Sequence, residues 1–205
     1  MTMTSSRNPR SAPTRHSRED VADAALDILN SFGLADLTMR RLAQSLDVQP
    51  SALYWHYENK QSLLAHLADL IVDVPDSEAS PGTDRVRARC LALRERLLAY
   101  RDGAEVVAST LALGLGAEAP GIDLTAALVD AGTDPETAAR VSGVLLHFIL
   151  GQVSHEQQRA QAGSLGAVAP KTTASTTTAV TDAEAESAEF IFGVDLILGG
   201  LAARG

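Results

Sequence analysis

The sequence predicts an all-α protein with a small helical domain first and a larger one behind it. Three observations carry this reading. Apolar residues recur at helical spacing over most of the chain. Aromatics make up only 4% of the residues, so aliphatic and Ala-rich helix contacts must build the core. Residues 38–60, TMRRLAQSLDVQPSALYWHYENK, read as two short helices, a tight turn and the start of a third helix. A chain of 205 residues accommodates one large domain or two small ones.

Residues 1–16 are rich in Ser, Thr, Pro and Arg and are expected to be a disordered basic tail. Its arginines suit either a solvated tail or an arm that reaches phosphates. The first helix is expected from Ser17, with Asp20 at capping-box spacing. Val21, Ala24, Ala25, Ile28, Leu29 and Phe32 keep a 3.6-residue repeat until Gly33 stops it.

The motif at 38–57 comes next and closes the first domain, over 17–60. Thr38 is placed to cap its first helix, whose apolar face is Leu42, Ala43 and Leu46. Asp47-Val48-Gln49 is the turn. Pro50 suits the first position of the second helix, because an amide there has no intrahelical partner to lose. That helix is expected over 51–57 and carries the rings of Tyr54, Trp55, His56 and Tyr57. A helix so short and so rich in polar-tipped rings points to the major groove of DNA rather than to a core. Arg40 is the candidate for a bidentate contact to guanine. Pro50, Ser51 and Ala52 are small enough for close approach, and Tyr54 and His56 add base or phosphate contacts. Thr38, Trp55 and Lys60 are assigned to the phosphate backbone, where contacts position without reading sequence. Leu53 is assigned to the core.

Asn59 caps the fourth helix, about 59–73, which starts in the head and ends in the body and so forms a lever. Residues 74–83 are a connection. Asp84 is the expected cap of a fifth helix to about 101, striped by Val86, Cys90, Leu93 and Leu97. RDG at 101–103 breaks it. Further helices are expected at about 104–114, 122–131, 134–161 and 182–203, with a flexible loop at 162–181. The eighth and last helices turn apolar nearly all round at 144–153 and 190–198, so they need cover on several faces. A pair from each of two subunits gives a four-helix seam, with Gly143, Gly151, Gly193, Gly199 and Gly200 allowing close approach; the other reading is the core of a monomeric bundle.

Charge is unevenly distributed. The chain carries 17 Lys/Arg against 26 Asp/Glu, net −9, but residues 1–60 hold seven of each. The excess acid thus lies wholly in 61–205, which fits a neutral DNA head on an acidic body. The single cysteine, Cys90, excludes an intramolecular disulfide and any multi-Cys zinc site. No apolar run reaches the roughly 20 residues of a membrane span, and no secretory signal is visible, so a cytoplasmic protein is expected. No nucleophile–base pair, Glu-x-x-His pair or phosphate loop is present, which argues against an enzyme or carrier; no cofactor and no metal are expected.

The segment LYWHYENKQSLL resembles the DNA-binding motif of the TetR family of regulators. YRDGAEVV at 100–107, LLHFILGQVSHEQ at 145–157 and FIFGVDLILGGL at 190–201 resemble that family's effector domain. The resemblance covers most of 17–203. It implies a homodimeric DNA-binding domain coupled to an effector-binding and dimerisation domain over 61–205, and a repressor released from a palindromic operator by a small molecule. A ligand-dependent activator or co-repressor-type regulator would share the fold. Matched to the family's tetracycline-binding members, the metal-ligating histidine position is Val107, a partnering arginine position is Leu111, and an acidic position from the other subunit is His155. A further ligand-contacting histidine has no counterpart near Asp76. Thr110 and His147 are retained. The resemblance therefore implies an effector pocket lined by Leu93, Val107, Thr110, Leu111, His147 and Gln152, with His155 near the seam. Such a pocket has lost the ligands for a magnesium chelate and suits a mainly apolar compound with a few polar groups. His147 is expected to be a core histidine.

Overall fold

The computed structural model describes residues 16–75, 81–164 and 182–203. The expected tail through residue 15, the middle of the 74–83 connection with Asp76, and residues 165–181 of the expected loop lie outside the described residues. Among the described residues nine α-helices run in order: α1 Arg18–Phe32, α2 Met39–Ser45, α3 Pro50–Leu53, α4 Lys60–Ile71, α5 Thr83–Leu98, α6 Gly103–Ala112, α7 Ala119–Asp130, α8 Pro135–Ser164 and α9 Asp182–Ala202. A 3₁₀ turn, Leu34–Asp36, follows α1. There is no strand among the described residues. No described helix is long and apolar enough to cross a membrane.

The helix starts follow local chemistry. Ser17 and Asp20 form a reciprocal capping box, with Ser17 N donating to Asp20 Oδ2 at 2.7 Å and Asp20 N donating to Ser17 Oγ at 3.1 Å. The amide bond to its carboxylate holds Asp20 below the ordinary aspartate range. Thr38 accepts from Arg41 N at 3.1 Å, and Asn59 accepts from Ser62 N at 2.9 Å. Asp134 accepts from Thr137 N at 3.0 Å to start α8. These bonds satisfy amides that have no intrahelical acceptor.

Several boundaries differ from the sequence expectation. Asp84 does not cap α5: Gly82 is the capping position, and Asp84 instead accepts from Arg87 at 2.9 Å inside the first turn. That helix also stops at Leu98, and Gln157 donates to the carbonyls of Leu97 and Tyr100 at its end. Helix α8 continues through Ser164, where loop was expected from residue 162. The recognition segment is α-helical only over Pro50–Leu53 rather than to residue 57. Beyond it the chain tightens, with His56 N donating to Leu53 O at 2.9 Å. One α-turn is too short to propagate unaided, and Tyr57 anchors its far end inward. Tyr57 is 1% exposed and its hydroxyl donates to the Arg18 carbonyl at 3.1 Å. It is a core residue, not a fourth ring offered to DNA.

One apolar core joins head and body. Leu29, Leu42, Leu53 and Leu63 pack the head, and Leu67 and Ile71 on α4 continue the same cluster to Val86, Cys90, Leu97 and Val106. Burial pushes the Cys90 thiol up to about 12, so it is a neutral packing group. Native protein at pH 8 is expected to leave Cys90 unlabelled by a thiol-specific disulfide reagent, and denatured protein to react one-to-one. Helices α5, α8 and α9 are tied by polar bonds: Arg94 donates to Glu156 through Nε at 3.2 Å and Nη2 at 2.7 Å, and Arg87 reaches Asp195 at 2.7 Å.

Candidate nucleic-acid interface and its coupling to the body

The proposed reading face is assembled at the α2–α3 corner. The inner side of the corner is apolar, through Leu42, Ala43 and Leu53. Asp47 supplies the sharp turn with φ of 52°, a left-handed conformation that a short polar side chain tolerates. The outer side carries the residues singled out from sequence. Arg40, Pro50 and Ser51 are exposed, Ala52 and His56 are half-buried, Tyr54 is 52% exposed and Trp55 is 89% exposed. Thr38 is exposed at the cap of α2, and Lys60 sits half-buried in the first turn of α4. Arg41, the neighbour of Arg40, bonds to Asp36 and lies 3.8 Å over the Phe32 ring. Arg41 is thereby held in the head, while Arg40 projects from the exposed face of α2.

In the body, Leu93, Val107 and Thr110 are 2%, 0% and 3% exposed and share the core. Thr110 donates its hydroxyl to the Val106 carbonyl at 2.8 Å. Leu111 packs half-buried against the same cluster, and Gln152 is half-buried on α8. The two histidines lie elsewhere. In the single chain His147 is exposed, with Nδ1 at 2.6 Å from the Gly143 carbonyl of its own helix, so it is not the core histidine expected. His155 is exposed too, and with Val144, His147 and Gly151 it forms an open stripe along α8. Helix α9 buries Phe190, Val194 and Leu198 and leaves Phe192 at 68% and Leu196 at 66% exposure. Gly193 does not belong to that open face. A Cβ there would meet Phe148 Cζ at 2.2 Å, so this glycine serves packing within the chain. Gly143, Gly151, Gly199 and Gly200 have open space where a Cβ would go.

Two family models match this architecture. Residues 21–67 match the model described as bacterial regulatory proteins, tetR family, and residues 74–204 match the tetracyclin repressor-like C-terminal domain. The chain belongs to the TetR family. Among its relatives is the class C tetracycline repressor protein of Escherichia coli, 34% identical over 197 residues and 90% of each chain. BioQ, solved with its natural double-stranded DNA operator, is 34% identical with a TM-score of 0.72, covering 92% of this chain and 99% of that one. A TetR variant from Acinetobacter baumannii AYE, solved in complex with minocycline, is 27% identical with a TM-score of 0.71, covering 92% and 98%.

In this TetR-family chain the head meets the body through a polar joint that sequence reading missed. Asp102, at the N-cap of α6, accepts from Leu34 N of the head at 2.8 Å and from Gln161 Nε2 of α8. Arg101 N donates to Asn30 Oδ1 at 3.1 Å, and its Nη1 donates to the Ser31 carbonyl at 3.2 Å. Gln157 on α8 donates to Leu97 O and Tyr100 O, at 2.9 and 2.8 Å, and so fixes the same turn from behind. A second tie runs from the lever, where Asp69 accepts from Ala117 N at 2.7 Å and Arg96 donates to the Leu70 carbonyl at 2.8 Å. The available signal was RDG at 101–103, read only as a helix break. Asp102 holds φ at 56°, the same left-handed conformation as Asp47, which an aspartate tolerates.

Proposed function

We propose that this TetR-family protein is a homodimeric repressor that holds a palindromic operator and lets go when a small molecule enters its body. The observation that carries the DNA reading is the outer face of the α2–α3 corner, where Trp55, Tyr54, Arg40, Pro50 and Ser51 stand exposed beside the cap at Thr38. The relative solved with operator DNA supports it. The open stripe of α8 and the Phe192–Leu196 face of α9 support a seam between two copies, which sets two heads at a fixed separation. The effector domain spans residues 61–205, and the head 17–60 with its motif at 38–57.

The effector is a mainly apolar compound with a few polar groups, received around Leu93, Val107, Thr110, Leu111 and Gln152, with His147 and His155 on the seam stripe of α8. Buried Val107 is an aliphatic group and cannot bind a metal ion. A relative's complex with minocycline supports a small-molecule body, while the side chains here favour a different chemistry. Release follows from linkage. A ligand that prefers the conformation with its heads out of register shifts the population off DNA. Helix α4, packed on both α1 and α6, is the transmitter.

Fluorescence anisotropy of the full-length protein on duplexes from its own upstream region tests the reading. Arg40→Ala is expected to cost about 1–3 kcal/mol at the best site and to relax the preference at one base pair per half-site. Lys60→Ala is expected to weaken all sequences alike and to lower the salt dependence by about one phosphate. Failure to bind any such duplex at low salt, without ligand, removes the DNA reading.

A further inference from the structure

The start of α1 is held against both ends of α3. Ahead of α3, His16 Nε2 donates to the Leu46 carbonyl at the end of α2, at 3.1 Å. Behind α3, Tyr57 donates its hydroxyl to the Arg18 carbonyl at 3.1 Å, and the Arg18 guanidinium lies 5.0 Å over the Tyr57 ring. The chain therefore enters the head beside the segment that presents Trp55. Positive charge is concentrated at that entry point. Residues 1–60 hold seven Lys/Arg and seven Asp/Glu, but four of the basic residues, Arg7, Arg10, Arg15 and Arg18, precede the first acid, Glu19. Residues 19–60 keep only Arg40, Arg41 and Lys60 against seven carboxylates, and Arg41 is bonded to Asp36. Affinity for DNA is dominated by cations that displace counterions from phosphates. The folded head alone lies on the acidic side of that balance, and the cations that correct it come before α1.

We propose that residues 1–15 serve as an arm that places Arg7, Arg10 and Arg15 in the minor groove flanking the half-site read by α3. The arm adds to the DNA binding proposed above and rests on it. From the major groove held by α3, the adjacent minor groove is about half a helical turn away, ~17 Å. Six extended residues span about 20 Å, so Arg10 reaches that groove from His16. Residues 4–15 are Thr, Ser, Asn, Pro, Ala and Arg only, slender enough for a groove about 6 Å wide. A narrow minor groove concentrates negative potential and attracts arginine. His16, pinned to Leu46, is a positioning residue that sets where the arm leaves the head.

The test uses the full-length protein and two duplexes that carry the upstream half-sites with flanks of G·C or of inosine·C pairs. The two flanks differ only in the guanine amino group of the minor groove. Anisotropy is expected to show at least about fivefold tighter binding to the inosine flanks, the removal of one steric block per half-site. The triple variant Arg7→Ala, Arg10→Ala, Arg15→Ala is expected to bind both duplexes alike. Its log–log salt slope is expected to fall by about two or more, for one lost contact in each of two arms. Its circular dichroism should match the parent, since all three residues precede α1. His16→Ala keeps every arginine and is expected to narrow the preference at least about twofold, because the arm loses its anchor. Equal binding of the parent to both flanks, or an unchanged salt slope in the triple variant, overturns the arm and leaves the DNA reading intact. An unchanged preference in His16→Ala overturns the positioning role. Parent protein that binds neither duplex removes the DNA reading, and the arm with it.

Discussion

A chain carrying Phe192→Asp and Leu196→Asp is expected to run as a monomer and to lose its operator. Both side chains are about two-thirds exposed in the single chain, on the side of α9 away from Phe190, Val194 and Leu198. Covering such side chains at a seam stabilises by about 1.5–3 kcal/mol each. Two carboxylates in their place would have to be buried without partners, which costs several kcal/mol more. The fold of each chain should survive, because neither residue belongs to its core. Operator binding should not, because joining two heads raises affinity by roughly 10²–10⁴ over one head alone. Light scattering after size exclusion, circular dichroism and anisotropy on the upstream duplex check the three parts. A dimer that persists would place the seam elsewhere.

The second large effect is on stability. Arg94→Met leaves Glu156 buried without its cation, at a cost of about 3–5 kcal/mol. For a chain of this size the melting temperature should fall by roughly 6–20 °C. The double variant Arg94→Met with Glu156→Leu is expected to recover most of that loss, since it removes the stranded charge along with its partner. Arg94 also lies 5.3 Å from the centre of the Phe190 ring, so methionine keeps contact with an aromatic neighbour. Thermal unfolding of the single and double variants checks both statements. A single variant within about 0.5 kcal/mol of the parent, as for an ordinary surface change, would contradict the role given to this pair.

What is legible in the sequence has a local cause. Ser17, Thr38 and Asn59 sit within three residues of the amides they cap, so their spacing alone identifies three helix starts. Leu42, Ala43 and Leu53 are read as inward-facing, and all are buried. Tyr57 escapes such a reading because periodicity cannot separate the inner from the outer side of a helix one turn long. Its partner, the Arg18 carbonyl, is 39 residues away. Asp102 reads as part of a break because its partners, Leu34 and Gln161, lie 68 and 59 residues off in opposite directions. Gly193 reads as a seam residue because small residues suit any close approach, and only the position of Phe148 shows which one. The proposed DNA-reading face is thus assembled from neighbouring residues, while the joint between head and body is made of distant contacts.

Two copies of this head are expected to read two halves of one operator. Hydroxyl-radical footprinting of the full-length protein on its own upstream DNA tests it most directly. Two protected half-sites are expected, related by a two-fold centre and spaced by about one helical turn or a whole multiple of it. A single unsymmetric footprint, or uniform protection that fades with salt and marks no site, would contradict it.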